Sequence, residues 1–162
     1  MRIHLTLLAA GALLLIAQAA SACQCANGPG ADREDANARA LFARLDAAWD
    51  GRDAEAFSAV FTEDVSFYFA DRGEGFDGRA ALFESFAQRF PTFPAELRHV
   101  TEISATSRIA PGVTAVDGGV QVLRVADDGE AAVFRSFSIF ALVEEEGDAC
   151  RVRLIRIWQL PG

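Results

Sequence analysis

The feature that most constrains the fold is a change of periodicity within residues 53–71. Apolar side chains recur at helical spacing over residues 54–61, which predicts a short helix capped by Asp53. Over residues 65–69 they alternate with a period of two, which predicts a strand rich in aromatic residues. A helix that turns directly into such a strand forms a corner, and the rest of the chain is expected to close over it.

The segments around this corner predict three helices followed by a sheet. Helical spacing extends over residues 33–50, and after a turn at residues 71–75 the segment 76–90 is expected to be a loop followed by a helix. Short connections containing Pro111-Gly112 and Asp127-Asp128-Gly129 then predict a four-stranded antiparallel meander. The expected strands cover residues 97–109, 113–125, 131–143 and 151–159. The expected class is α+β, and because both faces of the meander are apolar, one face is expected to cover the helices and the other to form a homodimer.

Composition excludes several functions. The chain has 162 residues, a formal net charge of −8, and no Lys, so a Schiff-base mechanism is excluded and nucleic acid is an unfavourable partner. Its thirteen Phe residues must fill an aromatic core or line a cavity. Of the two His residues only His99 lies outside the N-terminal segment, so neither a metal site nor a cofactor is expected.

The N-terminal segment is typical of an exported bacterial protein. An apolar run over residues 5–17 precedes Ala20-Ser21-Ala22, which predicts a signal peptide over residues 1–22 and a linker over residues 23–32 before a single domain at 33–162. Two processing routes remain open: cleavage into a soluble periplasmic protein, or lipidation of Cys23 and anchoring to the outer membrane. Lipidation of Cys23 would leave Cys25 and Cys150 as a disulfide pair, although both could also be unpaired.

Two sequence segments resemble those of a known family. They are Trp49-Asp-Gly-Arg-Asp-Ala-Glu-Ala-Phe-Ser-Ala-Val-Phe-Thr-Glu-Asp-Val65 and Phe76-Asp-Gly-Arg-Ala-Ala-Leu82. Together with the order of elements over residues 36–160, they resemble the polyketide-cyclase-like (SnoaL-like) branch of the nuclear transport factor 2-like superfamily. The resemblance implies a curved antiparallel sheet packed as a cone against three N-terminal helices, with a pocket between them. It identifies the fold more than the chemistry, because this scaffold carries many activities.

The acid and base of ketosteroid isomerase, a relative in the superfamily, would fall near Leu45 and Phe69 of this chain. Neither side chain transfers protons, so the resemblance does not imply that mechanism. The candidate proton-transfer groups that remain are His99 and Asp117, each at an apolar parity of its predicted strand.

Five further side chains are expected to line the pocket. Arg135 would bind a substrate carboxylate or pair with Asp117 or Asp46. The expected ligand-binding residues are Trp49, Phe69, Arg135, Trp158 and Asp46.

Three functional hypotheses follow. The first is an exported domain whose cone binds a small apolar molecule. The second is a cofactor-free isomerase, dehydratase or cyclase that uses His99 and Asp117. The third is a non-catalytic association module whose cone is filled by its own side chains.

Overall fold

A computed structural model describes residues 31–161 of the chain. Three helices precede most of the sheet, as predicted, and a 3₁₀ turn follows the third of them. The helices are α1 (Ala31–Asp50), α2 (Ala54–Ala59) and α3 (Arg79–Arg89), and the 3₁₀ turn covers Phe90–Thr92. The strands are β1 (Phe61–Phe69), β2 (Glu74–Asp77), β3 (Leu97–Ala110), β4 (Val113–Val125), β5 (Ala131–Glu146) and β6 (Ala149–Gln159).

The predicted corner forms close to its expected position. The Asp53 side chain accepts a hydrogen bond of 2.9 Å from the amide of Ala56 and so caps α2. The strand begins at Phe61, because this residue pairs with Val152 of β6. Helix α2 is therefore one turn and a half long, and the aromatic strand is longer than its alternating pattern indicated.

The six strands form one sheet in the order β2-β1-β6-β5-β4-β3. The antiparallel meander from β3 to β6 is confirmed, with all three of its connections joining neighbouring strands. Strand β1 lies parallel to β6, so the sheet is mixed, and the short strand β2 pairs with β1 in a segment expected to be a loop. The pairing of β1 with β6 joins segments far apart in the chain and leaves no local trace in the sequence.

The core lies between the helices and the inner face of the sheet. It is rich in aromatic contacts, and the rings of Phe57 and Phe86 have centroids 4.3 Å apart. Along β5 the inner face carries Phe137, Ile139 and Val143, which occupy alternate positions of the strand. Within residues 31–161, no helix is long and apolar enough to cross a membrane.

Strand β3 is an edge strand, and α1 lies along it. Arg39 donates a hydrogen bond to the carbonyl of Ile103. Asp46 and Asp50, one turn apart on the same helix, accept hydrogen bonds from the amides of Thr101 and His99. The helix thus supplies partners for an edge that would otherwise present unpaired backbone groups.

Candidate functional site

A cavity of about 330 Å³ lies between the helices and the inner face of the sheet. Its volume is at the lower end of the range for small-molecule sites. The lining is predominantly apolar and aromatic, with one His, one Thr and three Arg among it. The apolar and aromatic lining residues are Phe42, Leu45, Trp49, Phe57, Phe67, Phe69, Phe86, Phe93, Leu97, Val120, Val122, Phe134, Phe137, Ile155 and Ile157.

At the wall of this cavity, His99 forms a hydrogen-bonded pair with Asp46. The distance between His99 Nδ1 and Asp46 Oδ1 is 2.6 Å, and both side chains are largely buried, with exposed fractions of 12% and 19%. His99 lies near the start of β3, and Asp46 lies in the last turns of α1. The packing of α1 against the edge of the sheet therefore creates the pair.

The Asp46 carboxylate is held on both oxygens. Its Oδ1 also accepts a hydrogen bond of 2.7 Å from the hydroxyl of Thr101, and its Oδ2 accepts one of 2.8 Å from the amide of the same residue. The Asp50 carboxylate holds the backbone of His99 through a bond of 2.7 Å to its amide. Ring and carboxylate are thus positioned by four hydrogen bonds between one helix and one strand.

This arrangement determines what the imidazole can do. An ionised carboxylate only accepts hydrogen bonds, so Asp46 selects the tautomer of neutral His99 that carries its proton on Nδ1. The Nε2 atom then presents a lone pair, and it has no hydrogen-bond partner within residues 31–161. A base oriented by a buried carboxylate is an arrangement suited to removing a proton from a bound molecule.

Trp49 forms one wall beside the imidazole. Its ring centroid lies 5.2 Å from that of His99, with an interplanar angle of 33°. The Arg52 guanidinium lies 4.3 Å from the centroid of the same Trp49 ring. Arg52 also donates hydrogen bonds to the carbonyls of Trp49, Pro94 and Leu97. Burial lowers the pKa of this guanidinium, although the charge of Asp50 opposes the shift.

Three arginines complete the lining, and they differ in their partners. Arg89 pairs with Glu74, and Arg72 lies 3.7 Å from a carboxylate oxygen of Asp71. Arg135 forms no ion pair within residues 31–161, and its guanidinium lies 5.3 Å from the ring of Phe134. The predicted alternative that Arg135 pairs with Asp46 or Asp117 is therefore wrong.

Two of the predicted site residues lie outside the cavity. Asp117 is exposed and faces away from it, whereas Val116 and Val120, of the other parity, are buried. Trp158 is 42% exposed, whereas its neighbour Ile157 lines the cavity. Both of these strands, β4 and β6, carry apolar residues on both faces. The alternation of side chains along each strand therefore could not decide which of its two faces was turned inward. The prediction that Asp117 acts with His99 on a bound molecule is therefore wrong, and the carboxylate beside His99 is that of Asp46.

Five predicted residues do line the site or complete it. Trp49, Phe69 and Arg135 line the cavity with His99, and Asp46 holds the imidazole. The pairing of Asp46 with His99 had one trace in the sequence: Asp46 lies four residues before Asp50, on one side of the apolar stripe of α1. Other lining residues that the sequence analysis did not name, among them Thr101, Phe134, Arg72 and Arg89, had no such trace.

The cysteine predictions concern residues that are mostly outside the described range. Cys150 is buried and takes part in a disulfide bond. Cys23 and Cys25 lie outside residues 31–161, so the lipidation of Cys23 and the pairing of Cys25 with Cys150 stay predictions. No group of three His, Cys, Asp or Glu side chains within residues 31–161 is arranged to hold a metal ion.

The fold is similar to several solved structures. Aln2 from a Streptomyces species superposes with a TM-score of 0.71 at 16% identity, over 82% of this chain and 94% of that one. A domain of unknown function with a cystatin-like fold from Nostoc punctiforme gives 0.69 at 17% identity, over 82% and 81% of the chains. ActVI-ORFA from Streptomyces coelicolor gives 0.66 at 19% identity, over 77% and 96%. At these identities the similarity establishes the fold.

No curated protein matches the chain. The sequence model of the SnoaL-like domain matches residues 32–147, which is more than half of the chain and includes both members of the His99–Asp46 pair. This match agrees with the order of elements, with the cavity between helices and sheet, and with the cystatin-like fold of the structural neighbours. The chain therefore belongs to the SnoaL-like domain family of the nuclear transport factor 2-like superfamily.

Proposed function

We propose that this SnoaL-like domain is a cofactor-free lyase or isomerase that binds a small, largely apolar molecule in its cavity and removes a proton from it. The observation that carries the proposal is the contact of 2.6 Å between His99 Nδ1 and Asp46 Oδ1 at the wall of an apolar cavity. A domain whose cone served only as packing would have no open volume there. The cavity of about 330 Å³ therefore favours the ligand-binding hypotheses over the association module.

The chemistry follows from the position of each group. His99 Nε2 accepts a proton from a carbon next to a carbonyl or similar acidifying group of the ligand. The electron pair of the broken C–H bond then forms a double bond. In an elimination, a hydroxyl group departs with its bonding pair and takes the proton from the imidazolium to leave as water; in an isomerisation, the imidazolium returns the proton to another carbon. Asp46 stabilises the imidazolium that forms, and the surrounding Phe and Val side chains exclude water, which strengthens this interaction.

Export of this activity is also a proposal. It is supported by the apolar run over residues 5–17 and the small residues that follow it. A periplasmic location would give the domain access to small molecules that reach the cell from outside.

The proposal is tested by proton transfer in variants of the pair. Purified protein is incubated in deuterium oxide with phenyl-substituted β-hydroxy ketones, and NMR follows both deuterium exchange at the α-carbon and elimination to the conjugated ketone. We expect His99→Gln to lower the rate by about 10²- to 10⁴-fold, the usual contribution of a general base. Asp46→Asn is expected to cause a comparable loss, because it removes the negative charge beside the imidazolium.

Asp50→Asn is the matched control. Asp50 and Asp46 lie one turn apart on α1 and both accept a hydrogen bond from a β3 amide, but only Asp46 contacts the imidazole ring. The amide oxygen of the introduced Asn can still accept the hydrogen bond from the His99 amide, so the rate of the control is expected to stay close to that of the unmodified protein. Equal rates in the unmodified protein, His99→Gln and Asp46→Asn would contradict the proposed chemistry and leave the cavity as a binding site only.

A further inference from the structure

We infer that the ligand of this cavity is a small aromatic or otherwise apolar acid, whose carboxylate is bound by Arg135 while its body lies against His99. This inference rests on the proposed function and specifies its substrate class. It depends on Arg135 at the rim of the cavity and on the position of Arg135 relative to His99, and it does not require the hydrogen bond between His99 and Asp46.

The first argument is the charge balance of the rim. Three guanidinium groups line the cavity, and two of them lie beside carboxylates of the chain, Arg89 beside Glu74 and Arg72 beside Asp71. Arg135 has no such partner within residues 31–161, although the protein carries a net charge of −8. A positive charge left unbalanced at the rim of an apolar cavity favours an anionic group on the ligand.

The second argument is the register of the sheet. His99 of β3 pairs with Val122 of β4, and Val122 pairs with Arg135 of β5. The three residues form one row across the inner face, and two strand spacings separate the Cα atoms of His99 and Arg135 by about 10 Å. A molecule that lies over Val122 would therefore reach the base with one end and the guanidinium with the other.

The third argument is the local backbone of β5. The register between β4 and β5 shifts between Val122 and Leu123, so that Phe134 is an additional residue between Arg135 and Val133. Such a bulge re-aims the side chains beside it, and both Phe134 and Arg135 line the cavity. Phe134 is 43% exposed, and the guanidinium carbons of two arginines, at positions 124 and 135, are 4.7 and 5.3 Å from its centroid.

The chemistry of the guanidinium selects the class of anion. Its planar fork of donors matches the two oxygens of a carboxylate and binds them in parallel. The apolar walls would take the remainder of the ligand, and a volume of about 330 Å³ limits that remainder to a small ring system.

The test compares an acid with its amide, which have nearly the same shape and differ in charge. Binding of a naphthalene carboxylic acid and its primary amide, and of cinnamic acid and cinnamamide, is measured by isothermal titration calorimetry at low ionic strength. We expect each acid to bind at least about tenfold more tightly than its amide, the effect of one charge-assisted hydrogen bond. Arg135→Gln is expected to bring the acids to the affinity of the amides and to leave the amides unchanged.

Control variants test whether Arg135 alone causes the preference for the acid, and circular dichroism tests whether each variant is folded. Arg135→Lys keeps the charge but not the fork, and should retain part of the preference for the acid. Arg72→Gln and Arg89→Gln remove rim arginines that already have carboxylate partners, and should leave the preference within about twofold. Circular dichroism checks each variant, and Arg135 is exposed, so its replacement should not disturb the core.

Several outcomes would overturn the inference. They are equal binding of acid and amide by the unmodified protein, a preference that survives Arg135→Gln, or no binding of either pair in the millimolar range. His99→Gln separates this inference from the proposed chemistry, because it should lower the rate of proton transfer by about 10²- to 10⁴-fold while the preference for the acid remains. Loss of both properties in His99→Gln would count against Arg135 as the anion site.

Discussion

At the scale of single residues, the site depends on positions whose roles differ from their appearance in the sequence. Arg52 lies in the turn that follows α1, and its side chain packs against Trp49 and joins the end of α1 to the start of β3 through hydrogen bonds to three carbonyls. Its backbone has a φ of 57°, the left-handed region that residues other than glycine seldom adopt. The contacts of the side chain therefore offset an unfavourable backbone conformation.

Replacing Arg52 tests both contributions. Arg52→Ala should lower the free energy of unfolding by about 2 kcal/mol, because it removes the hydrogen bonds of the guanidinium to three carbonyls. Arg52→Gly should be about 1 kcal/mol more stable than Arg52→Ala, since glycine adopts this conformation without steric cost. Urea unfolding of both variants measures the difference. Equal stabilities would show that the backbone conformation carries no cost.

At the scale of elements, helix α1 supplies hydrogen-bond acceptors to the edge of β3. Asp50→Ala should lower the free energy of unfolding by about 1–2 kcal/mol, because the part-buried amide of His99 would lose its partner. Asp35→Ala is the control, because it makes the same change on the same helix in an exposed ion pair with Arg39. It should lower the free energy of unfolding by less than about 0.5 kcal/mol. Hydrogen exchange should quicken at the His99 amide. Unchanged exchange there would contradict the role of Asp50.

The close approach of β3 and β4 gives a second prediction at this scale. A Cβ at Gly118 would lie 2.4 Å from the carbonyl oxygen of Glu102, whereas one at Gly119 would come no closer than 3.4 Å to that of Phe137. Gly118→Ala should therefore cost about 1–3 kcal/mol by forcing two strands apart, and Gly119→Ala should cost less than about 1 kcal/mol. Urea unfolding compares the pair, and similar losses would contradict a specific contact at Gly118.

At the scale of the whole molecule, the cysteines test both the predicted disulfide and the predicted processing. If Cys25 pairs with Cys150, Cys25→Ser and Cys150→Ser should each lower the free energy of unfolding by about 2–5 kcal/mol, and the double variant should lose no more than either. Cys23→Ser should leave stability unchanged. Thermal unfolding with and without reductant measures the loss of stability in each variant. Additive losses in the double variant would exclude a disulfide bond between Cys25 and Cys150.

The same cysteine series separates the two routes of export. Lipidation requires the thiol of Cys23, so Cys23→Ser should release the protein from the membrane fraction if the lipoprotein prediction holds. Fractionation of cells that produce the full chain gives the measurement. A protein that is soluble before and after the change would be a cleaved periplasmic protein.

Prediction from the sequence worked best where the signal was local. The turns at Pro111-Gly112 and Asp127-Asp128-Gly129 placed β3, β4 and β5 within three residues of their observed bounds. The N-cap at Asp53 placed the corner. Each of these depends on residues close together in the chain, so the physical cause and its sequence pattern coincide.

Prediction was poorer where the cause lay far away along the chain. Asp117 and Trp158 were expected to face the cavity, but both face outward. Their strands carry apolar residues on both faces, so the packing of the helices, and not the sequence pattern, decides which face is buried. The partner of His99 was Asp46, 53 residues away, because α1 covers the edge of β3. The parallel pairing of β1 with β6 depends on the assembled sheet in the same way.

The sequence by itself thus determined the α+β class, the order of the elements, the aromatic corner at residues 53–71 and the presence of a single imidazole outside the N-terminal segment. Only the tertiary structure decided which parity of each strand faced the cavity, which carboxylate met His99, and that Arg135 was left without an anionic partner among the described residues. The physical reason is that turns, caps and periodicity depend on neighbouring residues. A site depends on side chains that meet only when helices and sheet pack together.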